Sequence, residues 1–287
     1  MAREYFYTID RQGNVLHEGT IIDDADFIDY FFKQLGPNTT SKYSQFPYLS
    51  QCNREKNYVH VIDCPIVFHH LSNGNLFYGK SLSVEFSREK LRFSNVGILY
   101  HEAPIGNFGR LIPQVAMEIS RYIQPFGIYY SYQDSTSKYP WIIEPIEAHP
   151  EIKILRPRAG NNCAGCGQDN PNGLYLSFLF NTHNSTADSW LVPDSGLEGS
   201  LGIMHGGYVS LLLDEVMGKV LSGMGIKAPT GNLNVRFRKP TPIGKVLHLH
   251  GKFIENNGRK YFLKSALYDE NSLLLAEAEG LFIKYVS

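Results

Sequence analysis

The chain has 287 residues, room for two domains of ordinary size, and its 27 basic and 28 acidic residues nearly cancel, which removes the electrostatic footprint expected of a nucleic-acid binder. Hydrophobic residues make up 43% of it, enough for packed cores, yet no run approaches the ~20 apolar residues of a membrane span. The opening Met1-Ala2-Arg3-Glu4-Tyr5 brings in an acid at once and has neither a signal-peptide apolar region nor a Ser/Arg-rich transit segment, so the expected location is cytoplasmic.

The first elements read as a hairpin: Tyr5 to Ile9 is aromatic and β-branched, Asp10-Arg11-Gln12-Gly13-Asn14 is a turn, and Val15 to His17 returns. Asp23 or Asp24 can cap a helix carrying Phe27, Ile28, Phe31, Phe32 and Leu35, ended by Gly36-Pro37. Strands are expected at Tyr58 to Ile62, Ile66 to Leu71, Leu76 to Tyr78, Gly97 to Tyr100 and Gly127 to Tyr132, with a short helix from Gln114 to Tyr122. This half is mixed α+β and rich in Tyr and Phe. His60, Asp63, His69 and His70 do not converge into a metal site, because on a strand His69 and His70 point to opposite faces.

The segments Arg3 to Asp10, Phe46-Pro47-Tyr48-Leu49-Ser50, Cys52, Arg54-Glu55 and Pro65-Ile66-Val67-Phe68 resemble the uncharacterised UPF0598 family, also called DUF4505, over roughly residues 3 to 143. That resemblance implies no activity. Its animal members are associated with mitochondria, and the opening of this chain has no matching presequence.

Glu144-Pro145-Ile146-Glu147-Ala148-His149-Pro150 through Arg156-Pro157-Arg158 is proline-spaced and charged and reads as a linker, giving domains at 1–150 and 151–287. Of four cysteines, Cys163 and Cys166 have metal-ligand spacing. Zinc would need two more ligands, however, and redox chemistry or a structural turn with packed thiols are the other readings. Asn170-Pro171-Asn172-Gly173 is a turn, followed by strands at Tyr175 to Phe180 and Ala187 to Val192.

A glycine-dense loop then gives way at His205-Gly206-Gly207 to Val209, Leu212, Leu213, Val216, Met217 and Val220, which recur at helical spacing. Glycines at that N-terminus let a ligand approach, and the first-turn N–H groups lack intrahelical partners. Asp214 lies just off the apolar stripe near Ser210, and Glu215 falls on the opposite edge. Asp214 is either a solvated edge residue or a partly desolvated carboxylate whose pKa rises toward a general base's range. Beyond the helix Leu233, Val235 and Phe237 alternate with Asn234, Arg236 and Arg238. Leu247 and Leu249 alternate with His248, His250 and Lys252, and Asn257-Gly258 marks a hairpin into Lys260 to Tyr268. The last strand, Leu274 to Ile283, sets Leu274, Ala276, Ala278, Gly280 and Phe282 on one face, small enough for a helix to lie against. The pattern is strand, strand, helix, four strands, one helix wrapped by an antiparallel sheet.

The order of Cys163-x-x-Cys166-Gly167, Asn170-Pro171-x-Gly173-Leu174, His205-Gly206-Gly207, Leu213-Asp214-Glu215 and Thr230 through Pro240 resembles the hotdog-fold acyl-CoA thioesterases of the PaaI/THEM4-like type over about residues 155 to 285. The resemblance implies that Asp214 is general base or nucleophile, that the N–H of Gly206 or Gly207 polarises the thioester carbonyl, and that Thr230 orients water. His205, Glu215, Asn234, Arg236 and Arg238 are the candidate substrate-binding residues, with His205 read equally as shaping only the turn. The two arginines are placed either for coenzyme A phosphates or as a solvated edge. Relatives often carry Asn or Gln some six residues before the histidine, where Glu198 and Gly199 stand here. The expected function is acyl-CoA thioester hydrolysis without cofactor or metal, in a homodimer or tetramer. The alternatives are a non-catalytic acyl-CoA-binding or scaffold protein and a hydratase on the same fold.

Overall fold

The computed structural model describes residues 3–285; Met1 and Ala2 of the opening segment, and Val286 and Ser287 at the end of the proposed second domain, lie outside them. The chain divides into two compact units. One comprises the chain up to Gln124 with Tyr130–Ser135 and Ile143–Ala148; the other comprises Pro125–Tyr129, Thr136–Ile142 and the chain from His149 onward. Two short segments that precede residue 150 thus cluster with the second unit.

In the first unit Arg3–Ile9 pairs antiparallel with Val15–His17 and parallel with Glu55–Val61, at the centre of a six-stranded sheet. Helix Ala25–Lys33 is capped by Asp24, whose carboxylate accepts the Phe27 N–H at 2.8 Å, and it buries Ile28, Phe31 and Phe32. The helix stops at Lys33, and Leu35–Pro37, expected as its end, is a strand paired with Tyr48–Cys52. The single strand expected from Ile66 to Leu71 is two: Val67–Phe68 pairs with Phe108–Leu111, and His70–Ser72 pairs with Asn75–Tyr78. The chain changes partner at His69, whose ring Nε2 lies 3.1 Å from the Gly79 carbonyl.

The main sheet of the second unit has seven antiparallel strands, in the order Ile152–Leu155, Phe178–Asn181, Thr186–Leu191, Leu247–Asn257, Lys260–Tyr268, Leu274–Ile283, Thr230–Phe237. It wraps a single helix, Gly206–Gly223. This is the hotdog arrangement, and the chain as a whole is α+β. The expected linker is partly sheet: Ile152–Leu155, between Pro150 and Pro157, forms an edge strand, and Leu155 packs against the core. Strand Phe178–Asn181 begins later than expected, because Tyr175 takes a left-handed backbone conformation with φ of 50°.

The helical stripe read from the sequence is the core of this unit. Val209, Leu212, Leu213, Val216, Met217 and Val220 are completely or almost completely buried against Leu249, Leu263, Leu267, Ala276, Ala278 and Phe282. Side chains of this kind contribute roughly 1.5–3 kcal/mol each when fully buried. The helix also approaches the sheet closely at its end, where a Cβ on Gly223 would overlap the buried Phe180 ring. Replacing Gly223 by Ala should therefore destabilise the protein by about 1–2 kcal/mol, the overpacking outweighing the ~1 kcal/mol gain in helix propensity. Denaturant unfolding of the full chain reads this directly; an unchanged or higher midpoint would show that the ring gives way freely.

Candidate active site

The helix N-terminus is built by His205. Its backbone is extended, so it stands as the N-cap, and its ring Nδ1 accepts the Gly207 N–H at 2.9 Å. An acceptor there satisfies one of the four first-turn donors. Of the two candidate amides, that of Gly207 is thus engaged by its own cap, whereas the Gly206 N–H has no hydrogen-bond partner among the described residues. Gly199 makes this cap possible, because a Cβ there would come within 2.9 Å of the His205 backbone. Glu198, beside it, spends its carboxylate on the Gly202 N–H at 3.0 Å. The position where relatives often place an amide side chain is therefore part of a tight turn here.

Two helical turns on, Asp214 is half-buried, and its Oδ1 accepts the Thr230 hydroxyl at 2.7 Å. Burial raises the Asp214 pKa above the ordinary carboxylate value, with a smaller push from Glu215, and the Thr230 hydrogen bond only partly offsets this. Thr230 opens the edge strand Thr230–Phe237, so an exposed hydroxyl and a half-desolvated carboxylate meet where the helix passes the sheet edge. A carboxylate so placed binds a proton more readily than one in water, which is what a base requires.

Glu215, the neighbouring acid, is elsewhere. Its carboxylate lies 3.4 Å from Lys219 Nζ and 3.5 Å from Cys163 Sγ, and Lys219 in turn donates to Cys166 Sγ at 2.7 Å. Lys219 is buried, and burial with Glu215 pushes the Cys166 thiol up to about 12. The ammonium is held by two of the three grouped donors, Cys166 and Glu215, so the buried charges compensate each other in a packing cluster. Sequence reasoning missed Lys219, although the Glu215–Lys219 spacing of four on a helix was available as a signal.

Asn234, Arg236 and Arg238 are exposed on the sheet face opposite the helix. Arg238 Nε donates to Glu277 at 3.0 Å, and Arg236 lines a shallow cleft with Asn234, Lys264, Glu277 and Glu279. Within one chain these side chains and Glu215 are not brought together with Asp214, Thr230 and Gly206. A second trio that sequence reasoning missed, Asp188, His248 and His250, also lies on the outer face. In the first unit Asp63 pairs with Arg110 at 2.7 Å and with Tyr100, apart from His69.

A family model described as a domain of unknown function, DUF4505, matches residues 1–145, half of the chain. The chain belongs to the DUF4505 family. A thioesterase superfamily model matches residues 201–276, so this DUF4505 protein carries a thioesterase-superfamily domain in its second half. Among curated relatives, acyl-coenzyme A thioesterase THEM4 of Bos taurus is 34% identical over 89 residues, 31% of this chain and 36% of that protein. The Mus musculus protein of the same name is 33% identical over 113 residues, 39% of this chain and 49% of that protein. The chain thus spans between 36% and 49% of the length of these two relatives. Solved structures that overlap include a thioesterase superfamily protein at 25% identity and TM-score 0.41, covering 43% of this chain and 60% of that one. The Escherichia coli PaaI protein overlaps at 13% identity and TM-score 0.35, covering 36% and 75%. The hotdog assignment rests on the strand order and helix placement described above.

The buried Lys219 ammonium gives the Glu215 cluster a measurable weight. In this DUF4505 protein Glu215→Gln should lower stability on the order of 1–3 kcal/mol, since it leaves a buried positive charge without its carboxylate. Thermal or denaturant unfolding checks this, and an unchanged midpoint would mean that Cys166 alone suffices for Lys219.

Proposed function

We propose that the second unit is an acyl-CoA thioesterase in which Asp214 acts as general base or nucleophile and the Gly206 N–H donates to the thioester carbonyl oxygen. The observation that carries this is the Asp214–Thr230 pair: a half-buried carboxylate with a raised pKa, joined at 2.7 Å to a hydroxyl at an open sheet edge. A thioester is already activated, so one positioned base, worth about 10²- to 10⁴-fold, and one amide donor account for hydrolysis without a metal. As base, Asp214 takes a proton from the water that attacks the carbonyl carbon; as nucleophile, it attacks directly and water releases the acyl group. Coenzyme A leaves as the thiolate, which takes a proton from Asp214 in the base route and from solvent in the nucleophile route. The names of the THEM4 relatives point to the same substrate class.

Gly206 and Asp214 are eight residues apart on one helix, about 12 Å along its axis at 1.5 Å per residue, too far to act on one carbonyl. Two copies related by a two-fold axis bring the Gly206 of one chain to the Asp214 of the other. Exposed Phe237 and Tyr208 beside the helix N-terminus, and the unpaired side of edge strand Thr230–Phe237, are surfaces that such a copy would cover. Arg236 and Arg238 are then candidates for coenzyme A phosphates only if Arg238 exchanges Glu277 for the ligand. The engagement of Glu198 and Gly199 in the turn supports a second reading, a hotdog protein that binds acyl-CoA and turns it over poorly, because no side-chain amide stands there to position the carbonyl.

Asp214→Asn should lower kcat by about 10²-fold or more with little change in acyl-CoA binding. Hydrolysis assays across short, medium, long and aromatic acyl-CoAs test this, and equal turnover of wild type and variant on a good substrate would remove Asp214 from the mechanism. If no acyl-CoA is hydrolysed but one is bound, the binding reading stands.

The same substitution has a signed effect on stability. The folded pKa of Asp214 is raised, so the wild type is most stable relative to Asp214→Asn below the ordinary carboxylate pKa and loses ground as pH rises through the folded value. At pH 7 the Asn variant should therefore melt higher than wild type, the gap closing toward pH 3–4. Melting curves at several pH values check this, and a lower melting temperature for the variant at pH 7 would mean that the Thr230 bond outweighs burial.

The dimer gives a further expectation. Mixing an Asp214→Asn chain with a Gly206→Pro chain, each inactive as its own homodimer, should restore up to one working site per mixed dimer. No recovery in mixed dimers proven to form by mass would overturn the shared site.

A further inference from the structure

On the sheet face turned away from the helix, three side chains on two neighbouring strands aim at one point. Strand Thr186–Leu191 supplies Asp188 and Trp190, and strand Leu247–Asn257 supplies their cross-strand partners His250 and His248. His248 Nε2 and His250 Nδ1 each lie 2.8 Å from the same oxygen, Asp188 Oδ1. All three side chains are about one-quarter to one-third exposed, with 24% for Asp188, 32% for His248 and 34% for His250, so the group is accessible but not dispersed in solvent.

We propose that Asp188, His248 and His250 form a binding site for a borderline divalent transition metal, zinc(II) being the one that best suits two imidazoles and a carboxylate. Tetrahedral zinc with bonds near 2.0–2.1 Å holds its ligand atoms about 3.3 Å apart, and here each nitrogen lies 2.8 Å from the carboxylate oxygen while all three donor atoms fall within 4.8 Å of one another, so side-chain adjustment suffices to take an ion. The ring protons are no obstacle. Among the described contacts the outer nitrogens, His248 Nδ1 and His250 Nε2, carry no hydrogen bond, so a neutral imidazole can shift its proton outward and present a lone pair to the metal.

The ligands are also held in place. The His248 ring is stacked on Trp190 at 4.6 Å and 5°, with Tyr268 on its other neighbour strand at 5.9 Å, and Trp190 is itself backed by Phe126. Ala266, directly across from His250 on strand Lys260–Tyr268, leaves room beside that ring. The cysteine cluster contrasts with this one, because Lys219 already sits among its donors. Three protein ligands at an accessible surface leave the fourth zinc position for water.

The test uses the full chain, freed of metal by dialysis against a chelator. Zinc(II) titrated in by calorimetry should bind at one equivalent per chain, and His250→Gln and Asp188→Asn, each checked for folding by circular dichroism, should each weaken binding by about 100-fold or more. Cobalt(II) should bind at the same stoichiometry without a thiolate charge-transfer band, which separates this site from Cys163 and Cys166. Should either variant fail to fold, the intact site still gives a readout: in a Trp141→Phe chain, cobalt(II) should quench the fluorescence of Trp190, stacked on His248, and zinc(II) should compete for it. No saturable binding, binding unchanged in both variants, a thiolate band, or unquenched Trp190 at saturation would each overturn the assignment.

Discussion

The second unit depends on burying one helix that has almost no polar side left over. Because Gly206–Gly223 is enclosed by a single curved sheet, the three charged side chains at its middle, Asp214, Glu215 and Lys219, are all drawn out of bulk water. Burying a charge is unfavourable unless something compensates. Glu215 and Lys219 solve this together, one turn apart, with Cys163 and Cys166 closing around them. Asp214 has only a neutral hydroxyl for a partner and retains a raised pKa. Two adjacent acids thus have opposite electrostatic fates, and the uncompensated one faces the open sheet edge.

The helix N-terminus lies at the surface, where His205, Gly207 and Tyr208 are exposed. Its first amides have no intrahelical partners and are met by a cap, by solvent or by a ligand. His205 takes one of them from its own side chain, and Gly199 is small enough to lie against it, which leaves the Gly206 amide as the donor on offer. Both ends of the proposed chemistry, an unspent donor and an uncompensated acid, are by-products of how one apolar helix is packed. They lie too far apart on that helix to meet within one chain, and that separation is the physical argument for assembly.

The outer face of the sheet follows different rules. There, side chains pair across strands: Arg238 with Glu277, Lys264 with Glu279, and Asp188 with two histidines. The first two are exposed opposite charges of modest value. The third is a convergence of lone pairs set by the register of Thr186–Leu191 against Leu247–Asn257, and a slip of one residue would turn those side chains to the other face. The first unit, by contrast, is dominated by aromatic packing around Phe31, Tyr58 and Phe68, with Asp63 and Arg110 paired beside it.

The sequence by itself determined what local physics repeats along the chain. The three-to-four spacing from Val209 to Val220 dictated the buried helix, Asn257-Gly258 the hairpin, the alternation in Leu274–Ile283 the face the helix lies on, and Asp24 the start of the first helix. Motif order alone singled out Asp214, Thr230 and Gly206, and tertiary structure set the first two in contact while separating Gly206 from Gly207 by the His205 cap. Only tertiary structure decided that Glu215 belongs with Lys219 and two cysteines some fifty residues earlier, that Asn234, Arg236 and Arg238 face away from the helix, and that Asp188 meets His248 and His250 about sixty residues later. Those outcomes turn on which strands pair and in what register, which is a property of the closed sheet rather than of any window of sequence. The proline-spaced stretch near residue 150 shows the same limit. Its local composition reads as a linker, yet Ile152–Leu155 becomes a strand because the edge beside Phe178–Asn181 offers it hydrogen bonds that no short segment can supply to itself.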